Sequence, residues 1–291
     1  MISVRAPATS ANLGSGFDVF GVALDRPGDV VRVEKADETT IEVTGMGSEY
    51  IPEEPAKNTA GVVANALDAP AHIHIDKGIR PSSGLGSSAA SAAGAAVALA
   101  ELYDRDLSGE DLVRVAAEGE AAVSGEAHAD NVAPAILGGF TVVRDDGITQ
   151  VDASLPLVAC LPETVVSTRD ARGVVPDSAS MDHVVETVGS AATLAVGMER
   201  DDPVLVGRGF RESVVTPARA ELIDGYAAAC EAAEGAGATG VTVSGAGPGV
   251  VATCYPGRRR DVASALVDAF EDAGVEARAF CTEVGDGAEF V

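Results

Sequence analysis

The stretch RPSSGLGSSAASAAG, residues 80–94, sets three glycines and five serines at the entrance of an alanine-rich run. It follows HIHIDK (72–77), whose apolar residues alternate as in a half-buried strand. The order is therefore strand, glycine loop, then a helix over 87–103. The free N–H groups at the start of such a helix point outward and, with the helix dipole, suit an anion such as phosphate. Gly84 and Gly86 let the backbone approach a ligand, and Ser87 and Ser88 put hydroxyls where they reach phosphate or Mg²⁺. Small residues beyond them, Ala89 and Ala90 first, let the helix lie close against a neighbour. The loop lacks the lysine of a Walker A sequence, so its ligand is held by main-chain dipoles and hydroxyls. Taken alone, the same residues fit equally well a tight turn before a close-packed helix.

The 291 residues are long for one core, and 46% of them are hydrophobic, which suits two domains sharing an interface. Aromatics make up only 4% and Trp is absent, so Ala, Val and Leu must fill the interior. A formal net charge of -25 argues against nucleic acid or an anionic membrane as partner. Lys35, Lys57 and Lys77 are the only lysines among 20 basic residues. An acidic, lysine-poor surface suits a salt-rich cytoplasm, where charge repulsion is screened beyond about 3 Å at roughly 1 M ionic strength. An acidic enzyme from a GC-rich genome is the plainer alternative. Cys160, Cys230, Cys254 and Cys281 form no C-x-x-C pair and read as reduced core thiols. MISVRAPATS lacks the apolar run of a signal peptide, and no stretch is apolar for long enough to cross a bilayer. A soluble, cytoplasmic protein is expected.

Alternation predicts paired strands over 29–35 and 40–44, then a helix over 59–67. Ser108 and Asp111 form a capping-box-like start for a second helix that runs to about 123, followed by a polar loop. FTVVR (140–144) and ITQV (148–151) predict a hairpin around Asp146-Gly147. Beyond it, LPLVACLP and TVVSTRD look strand-like, and helices are expected over 181–198, 203–214 and 218–234. VTVSGAG and GVVATCY read as a strand pair about Gly247-Pro248, followed by a helix over 261–273 and a last strand, VEARAFC. Such alternation suggests an α+β layout, with a domain boundary near residue 152.

Two further stretches bear on the opening loop. PATSANLGSGFDVFGVAL (7–24) is polar and glycine-bearing where a strand is expected, and GVTVSGAGPGVVA (240–252) is a second glycine-rich turn. GAGPG leads into a strand rather than a helix, so it is no dinucleotide fingerprint. In this order the three stretches resemble the GHMP kinase family. The first of them, with EAHADNVAPAILGGF (126–140), resembles its homoserine kinase branch. The similarity spans nearly the whole chain.

That resemblance implies a GHMP kinase fold of the α+β class. Residues 1–152 would form an ATP-binding domain like ribosomal protein S5 domain 2, and residues 153–291 a ferredoxin-like substrate domain. The loop Pro81, Ser82, Ser83, Gly84, Leu85, Gly86, Ser87, Ser88, Ala89, Ala90 would wrap the phosphates of ATP, and Ser88 and Glu120 would hold Mg²⁺. Read from the residues alone, Glu118 is as available as Glu120. His128 would contact L-homoserine. Arg172 and Arg219 would take its carboxylate, with Arg169 near enough to swap roles, and Asp18 with Asn12 would hold its ammonium. Asn131 stands where several relatives carry a catalytic aspartate, which implies positioning without a side-chain base. A base is dispensable if the transition state is loose. Asp130 is the competing candidate for one. The implied activity is ATP-dependent phosphorylation of homoserine in threonine biosynthesis, and a homodimer is the family's implied assembly. Another small-molecule kinase of the family, such as an archaeal shikimate kinase, and a catalytically silent nucleotide-binding regulator are the alternatives.

Overall fold

The computed structural model describes residues 1–125 and 127–291; Glu126, first residue of the segment 126–140, lies outside the described residues. The first half contains β1 (Ile2–Ala11), β2 (Phe20–Lys35), β3 (Thr40–Gly45), α1 (Thr59–Ala66) and β4 (Ala71–Lys77). It continues with α2 (Ser87–Leu102), α3 (Gly109–Ser124), α4 (Ala129–Leu137), β5 (Phe140–Arg144) and β6 (Gly147–Val151). These strands form one sheet in which β1, β2, β4 and β3 lie side by side in that order, with β5 and β6 joined to the early part of β2. Strand β2 is long enough to serve both groups: residues 20–22 pair with β5 and residues 30–35 with β4.

The second half runs β7 (Pro156–Pro162), α5 (Thr168–Gly173), α6 (Met181–Glu199), α7 (Pro203–Gly209), α8 (Val215–Ala220) and α9 (Tyr226–Gly235). After these come β8 (Ala238–Val243), β9 (Val250–Cys254), α10 (Arg259–Asp272), β10 (Ala277–Glu283) and β11 (Glu289–Phe290). Its antiparallel sheet has the order β10-β7-β9-β8, the strand order of a ferredoxin-like βαββαβ unit. Alternation along β7 and β9 divides the interior. Leu157, Ala159, Leu161 and Val251 face a main core shared with the first sheet and α2. Val158, Cys160, Val250, Ala252 and Cys254 face a second core under α9 and α10. The shared core welds the two sheets together.

Several expected elements differ. Strands β2 and β3 are not paired: β4 lies between them, antiparallel to β2 and parallel to β3. The short connection gives β3 the direction of a hairpin partner, but α1 carries the chain back so that β4 fills the slot. TVVSTRD is not a strand, because the Ser167 side chain accepts from the Asp170 N–H and starts α5. The helix expected over 203–214 stops at Gly209, and that over 218–234 breaks into α8 and α9 before Gly225, whose φ is 84°. Strand β11 returns to the first sheet beside β1 and has no counterpart in the sequence reading.

The polar loop after α3 in fact winds into α4. Pro134, inside that helix, has no N–H for the Asp130 carbonyl, and β2 comes against this carbonyl at Gly21, where a Cβ would lie 1.8 Å away. Asp130 and Asn131 are thereby fixed on the first turn of a helix. No helix among the described residues is long and apolar enough to cross a membrane.

Candidate active site

A cleft of about 450 Å³ opens between the first sheet's helices and the ends of α5, α8 and the β8–β9 turn. That volume is in the usual range for a small-molecule site. It is lined by Pro81, Ser82, Ser83, Gly84, Gly86, Ser87, Ser88 and Ala89 from the loop, and by Asn12, Asp18, Glu120, His128, Asn131, Arg172 and Arg219 from elsewhere. Leu85 and Ala90 do not line it. Leu85 is wholly buried and its carbonyl accepts from Thr9 N–H, and Ala90 sits on the inner face of α2. The structure also separates the paired candidates: Glu118 points to solvent while Glu120 is 2% exposed, and Arg169 is exposed outside the cleft.

The amino end of α2 faces the cleft with Gly86 at φ 62° as its cap and no side-chain cap among the described residues. Its first-turn N–H groups are therefore available to a ligand. Gly84 and Gly86 are needed there for two reasons. Both have positive φ, and a Cβ on Gly84 would meet the Ser244 carbonyl at 2.5 Å, while one on Gly86 would meet Thr9 Oγ1 at 2.1 Å. The β8–β9 turn supports the loop from below, since Ser244 Oγ donates to the Gly84 carbonyl at 2.7 Å and Gly249 N–H to the Ser83 carbonyl at 3.1 Å. The buried Ser83 hydroxyl has no partner among the described residues.

One expectation about this loop fails. The Ser87 hydroxyl turns inward to the Ile79 carbonyl at 2.9 Å, so only its N–H is offered outward. A lysine is present after all. Lys77, at the end of β4, is 3% exposed, lines the cleft and lies beneath α2. Its ammonium bonds Asp29, the Ser87 carbonyl at 2.7 Å and Ser91 Oγ at 2.9 Å. Asp29, wholly buried, also accepts from Gly78 N–H, Ile79 N–H and Ser91 Oγ. Burial pushes the Asp29 carboxyl up and pulls the Lys77 ammonium down, and each charge draws the other back. With every ammonium proton bonded and four donors on the carboxylate, the pair is held ionic.

Ser88 donates to Glu120 Oε2 at 2.9 Å. Burial pushes the Glu120 carboxyl up to about 7, against the pull of the Ser88 hydrogen bond and of Lys77. This hydroxyl and buried carboxylate are hard oxygen donors beside an anion-binding helix end, and they fit Mg²⁺, which takes few protein ligands and completes its shell with phosphate and water. Among the described residues no group of three or more His, Cys, Asp or Glu stands together as a metal cage.

The far end of the cleft is charged. Arg172 grips both carboxylate oxygens of Asp18, at 2.6 and 3.3 Å. Arg219, 5% exposed, donates to the Ala171 and Gly245 carbonyls. Asn12 spends its side-chain oxygen on Asp18 N–H at 3.0 Å, so it braces the loop as well as lining the cleft. Burial, reinforced by the Asp18 charge, pushes Asp130 up to about 6, while the backbone N–H groups of Asn131 and Asp130 pull it back. Thr9 Oγ1 donates to Asn131 Oδ1 at 3.0 Å, and the Asn131 amide nitrogen, 3.5 Å from Asp130 Oδ1, carries a second N–H that it can donate. His128 precedes α4 at the same end.

Comparison with known proteins decides the family. The GHMP kinases N terminal domain model matches residues 55–139, and the GHMP kinases C terminal model matches residues 194–272. The chain belongs to the GHMP kinase family. A homoserine kinase of Natronomonas pharaonis is 73% identical, over 99% of both chains, and one of Methanocella arvoryzae is 50% identical, over 100% of this chain and 97% of its own. Among solved structures, a homoserine kinase from Cytophaga hutchinsonii superposes with a TM-score of 0.90 at 33% identity, covering 100% of this chain and 97% of the other. Relatives from halophiles, including Haloarcula marismortui at 68% identity, agree with the acidic, lysine-poor composition.

Proposed function

We propose that this GHMP kinase phosphorylates L-homoserine with ATP, giving O-phospho-L-homoserine and ADP for threonine biosynthesis. One observation carries the reading: a single cleft joins a lysine-backed helix end, suited to a polyanion, to an Asp18–Arg172–Arg219 end whose mixed charges suit a zwitterion. The names of full-length relatives support the choice of acceptor. Residues up to about 152 would supply the nucleotide end, while α5 and α8 bring the arginines. The amino end of α2, with Ser82 and Ser83, would hold the triphosphate. Ser88 and Glu120 would hold Mg²⁺, which when bound neutralises charge developing on the phosphates.

The acceptor hydroxyl oxygen attacks the γ-phosphorus in line, the bond to the β-phosphate oxygen breaks, and the proton passes to an oxygen of the transferred group. His128 and the Asn131 amide orient the acceptor. Positioning and charge stabilisation carry most of such a reaction. Arg172 and Asp18 are paired in this structure, and the pair is half exposed, so a zwitterion exchanges their mutual contact for its own carboxylate and ammonium at small cost. An assay of ADP release with homoserine, shikimate and mevalonate tests the reading. Turnover of homoserine alone supports it, and ATP binding without turnover of any of them favours the silent regulator.

The Asp130 carboxyl gives a second proton acceptor to test, because it reaches the cleft with its pKa near neutrality. Asp130→Asn lowers kcat by less than about 10²-fold if no base operates, and by about 10² to 10⁴-fold if Asp130 takes the proton. The same variant has a stability signature. The folded-state pKa is raised, so the ionised carboxylate costs stability above the unfolded value of 3.8, and fully so above about 6. Asp130→Asn is therefore more stable than the parent by about 2–3 kcal/mol at neutral pH, at roughly 1.4 kcal/mol per pKa unit. The gain shrinks to nothing as pH falls to the unfolded value, and denaturant midpoints along a pH series check it.

A further inference from the structure

We propose that Phe17 is a positioning residue for acceptor recognition: its ring holds the guanidinium groups of Arg172 and Arg219 together so that they receive the carboxylate of an α-amino acid. The inference rests on the reading of the acceptor as a homoserine-like zwitterion. The Arg172 guanidinium carbon lies 5.1 Å from the ring centroid and that of Arg219 lies 5.0 Å from it. One aromatic ring therefore serves two cations that come from different short helices, α5 and α8. Like charges so placed repel in a cleft of low dielectric. Burial lowers the Arg219 pKa most, Asp18 raises it, and Arg172 lowers it again, so the two cations are electrostatically coupled.

Contacts of three kinds oppose the repulsion. Asp18 takes Arg172, the Ala171 and Gly245 carbonyls take Arg219, and the π-face of Phe17 attracts both. The ring touches the two cations at once, while Asp18 bonds Arg172 and reaches Arg219 through its charge. The loop that carries Phe17 and Asp18 is itself anchored. Asn12 Oδ1 accepts from Asp18 N–H at 3.0 Å, its carbonyl accepts from Gly16 N–H at 2.9 Å, and Ser15 Oγ donates to the Gly209 carbonyl at 2.6 Å. The ring is thus a fixed platform that ties the β1–β2 loop to both arginines. It is not among the cleft-lining residues whereas both arginines are, so it acts on the acceptor through them. Two planar cations lining one end of the cleft are matched to a planar carboxylate and not to a neutral end.

The test compares homoserine with 3-aminopropan-1-ol, the same amino alcohol without its carboxylate, in the wild-type protein, Phe17→Leu and Phe17→Tyr. Phe17→Leu keeps most of the apolar bulk and loses the π-face. It raises KM for homoserine about tenfold, the scale of losing cation–π contacts in a partly desolvated site, with kcat and the KM for ATP nearly unchanged. The preference for homoserine over 3-aminopropan-1-ol, read as the ratio of kcat/KM values, falls by the same factor, and Phe17→Tyr restores it. Where the amine is too poor an acceptor to turn over, its inhibition constant against homoserine replaces its kcat/KM. An unchanged preference in Phe17→Leu, or an equal loss for both acceptors and ATP, overturns the proposal while the functional reading stands. Absence of homoserine turnover in the wild-type protein overturns the functional reading, and the proposal with it.

Discussion

Glu120→Gln lowers Mg²⁺-dependent phosphoryl transfer about 10³-fold, the upper part of the range for removing one preorganised charge-stabilising group. The substitution keeps the side chain's volume and leaves an oxygen to accept the Ser88 hydrogen bond, so the loss reports charge and not packing. Glu120 is buried in the cleft wall on α3, and burial disfavours its ionised form. The raised folded-state value costs stability above the unfolded 4.5, and fully so above about 7, so Glu120→Gln is at least as stable as the parent at alkaline pH. A less active yet no less stable variant separates a site residue from a structural one. Ser88→Ala, which removes a neutral donor, has the smaller effect, about 10 to 10²-fold, as for groups that orient a metal ligand. Both variants shift the Mg²⁺ dependence and leave metal-free nucleotide binding as it is. Full activity in both, at saturating ATP, removes this pair from the metal site.

The legible parts of this chain are those whose physics is local. The glycine loop before α2 is written in positive-φ positions, and the start of α3 in a capping box whose two reciprocal hydrogen bonds form between Ser108 and Asp111. Leu85 and Ala90 sit inside the same motif but away from the cleft, because sequence proximity does not say which face of a loop or helix meets a ligand. The sheet order was not legible. Nothing in residues 29–45 reveals that a strand some 30 residues later will occupy the position beside β2. Nor was α4, where polar residues and Pro134 disguise a helix start as a loop. Thr9 and Phe17 escaped notice for a related reason: each acts on a side chain more than a hundred residues away. Lys77 left a signal, since in a chain with three lysines one of them stands four residues before Pro81, where the glycine loop begins.

Lys77→Met destabilises the fold by about 3–5 kcal/mol, because it strands the Asp29 carboxylate without its counter-charge in a site closed to water. The figure is a large share of the roughly 5–15 kcal/mol that keeps a typical protein folded. Asp29 cannot relax toward solvent, since Gly78 N–H, Ile79 N–H and Ser91 Oγ hold it in place. Adding Asp29→Asn to Lys77→Met recovers most of the loss: the amide still accepts from the backbone, and replacing both members of a buried pair is often near neutral. Denaturant midpoints of the two singles and the double form the cycle that measures this coupling. The recovered double variant then isolates what the ammonium does for the ligand. All its hydrogen bonds go to Asp29, Ser91 and the Ser87 carbonyl, so in this arrangement it reaches a triphosphate through its field and through the α2 turn that it fixes. The stable double variant accordingly binds ATP about tenfold more weakly, a change of about 1.4 kcal/mol, and adenosine as before. A double variant as unstable as Lys77→Met would mean that the pair is held by shape and not by charge. One that binds ATP like the parent would leave the helix end alone to hold the phosphates.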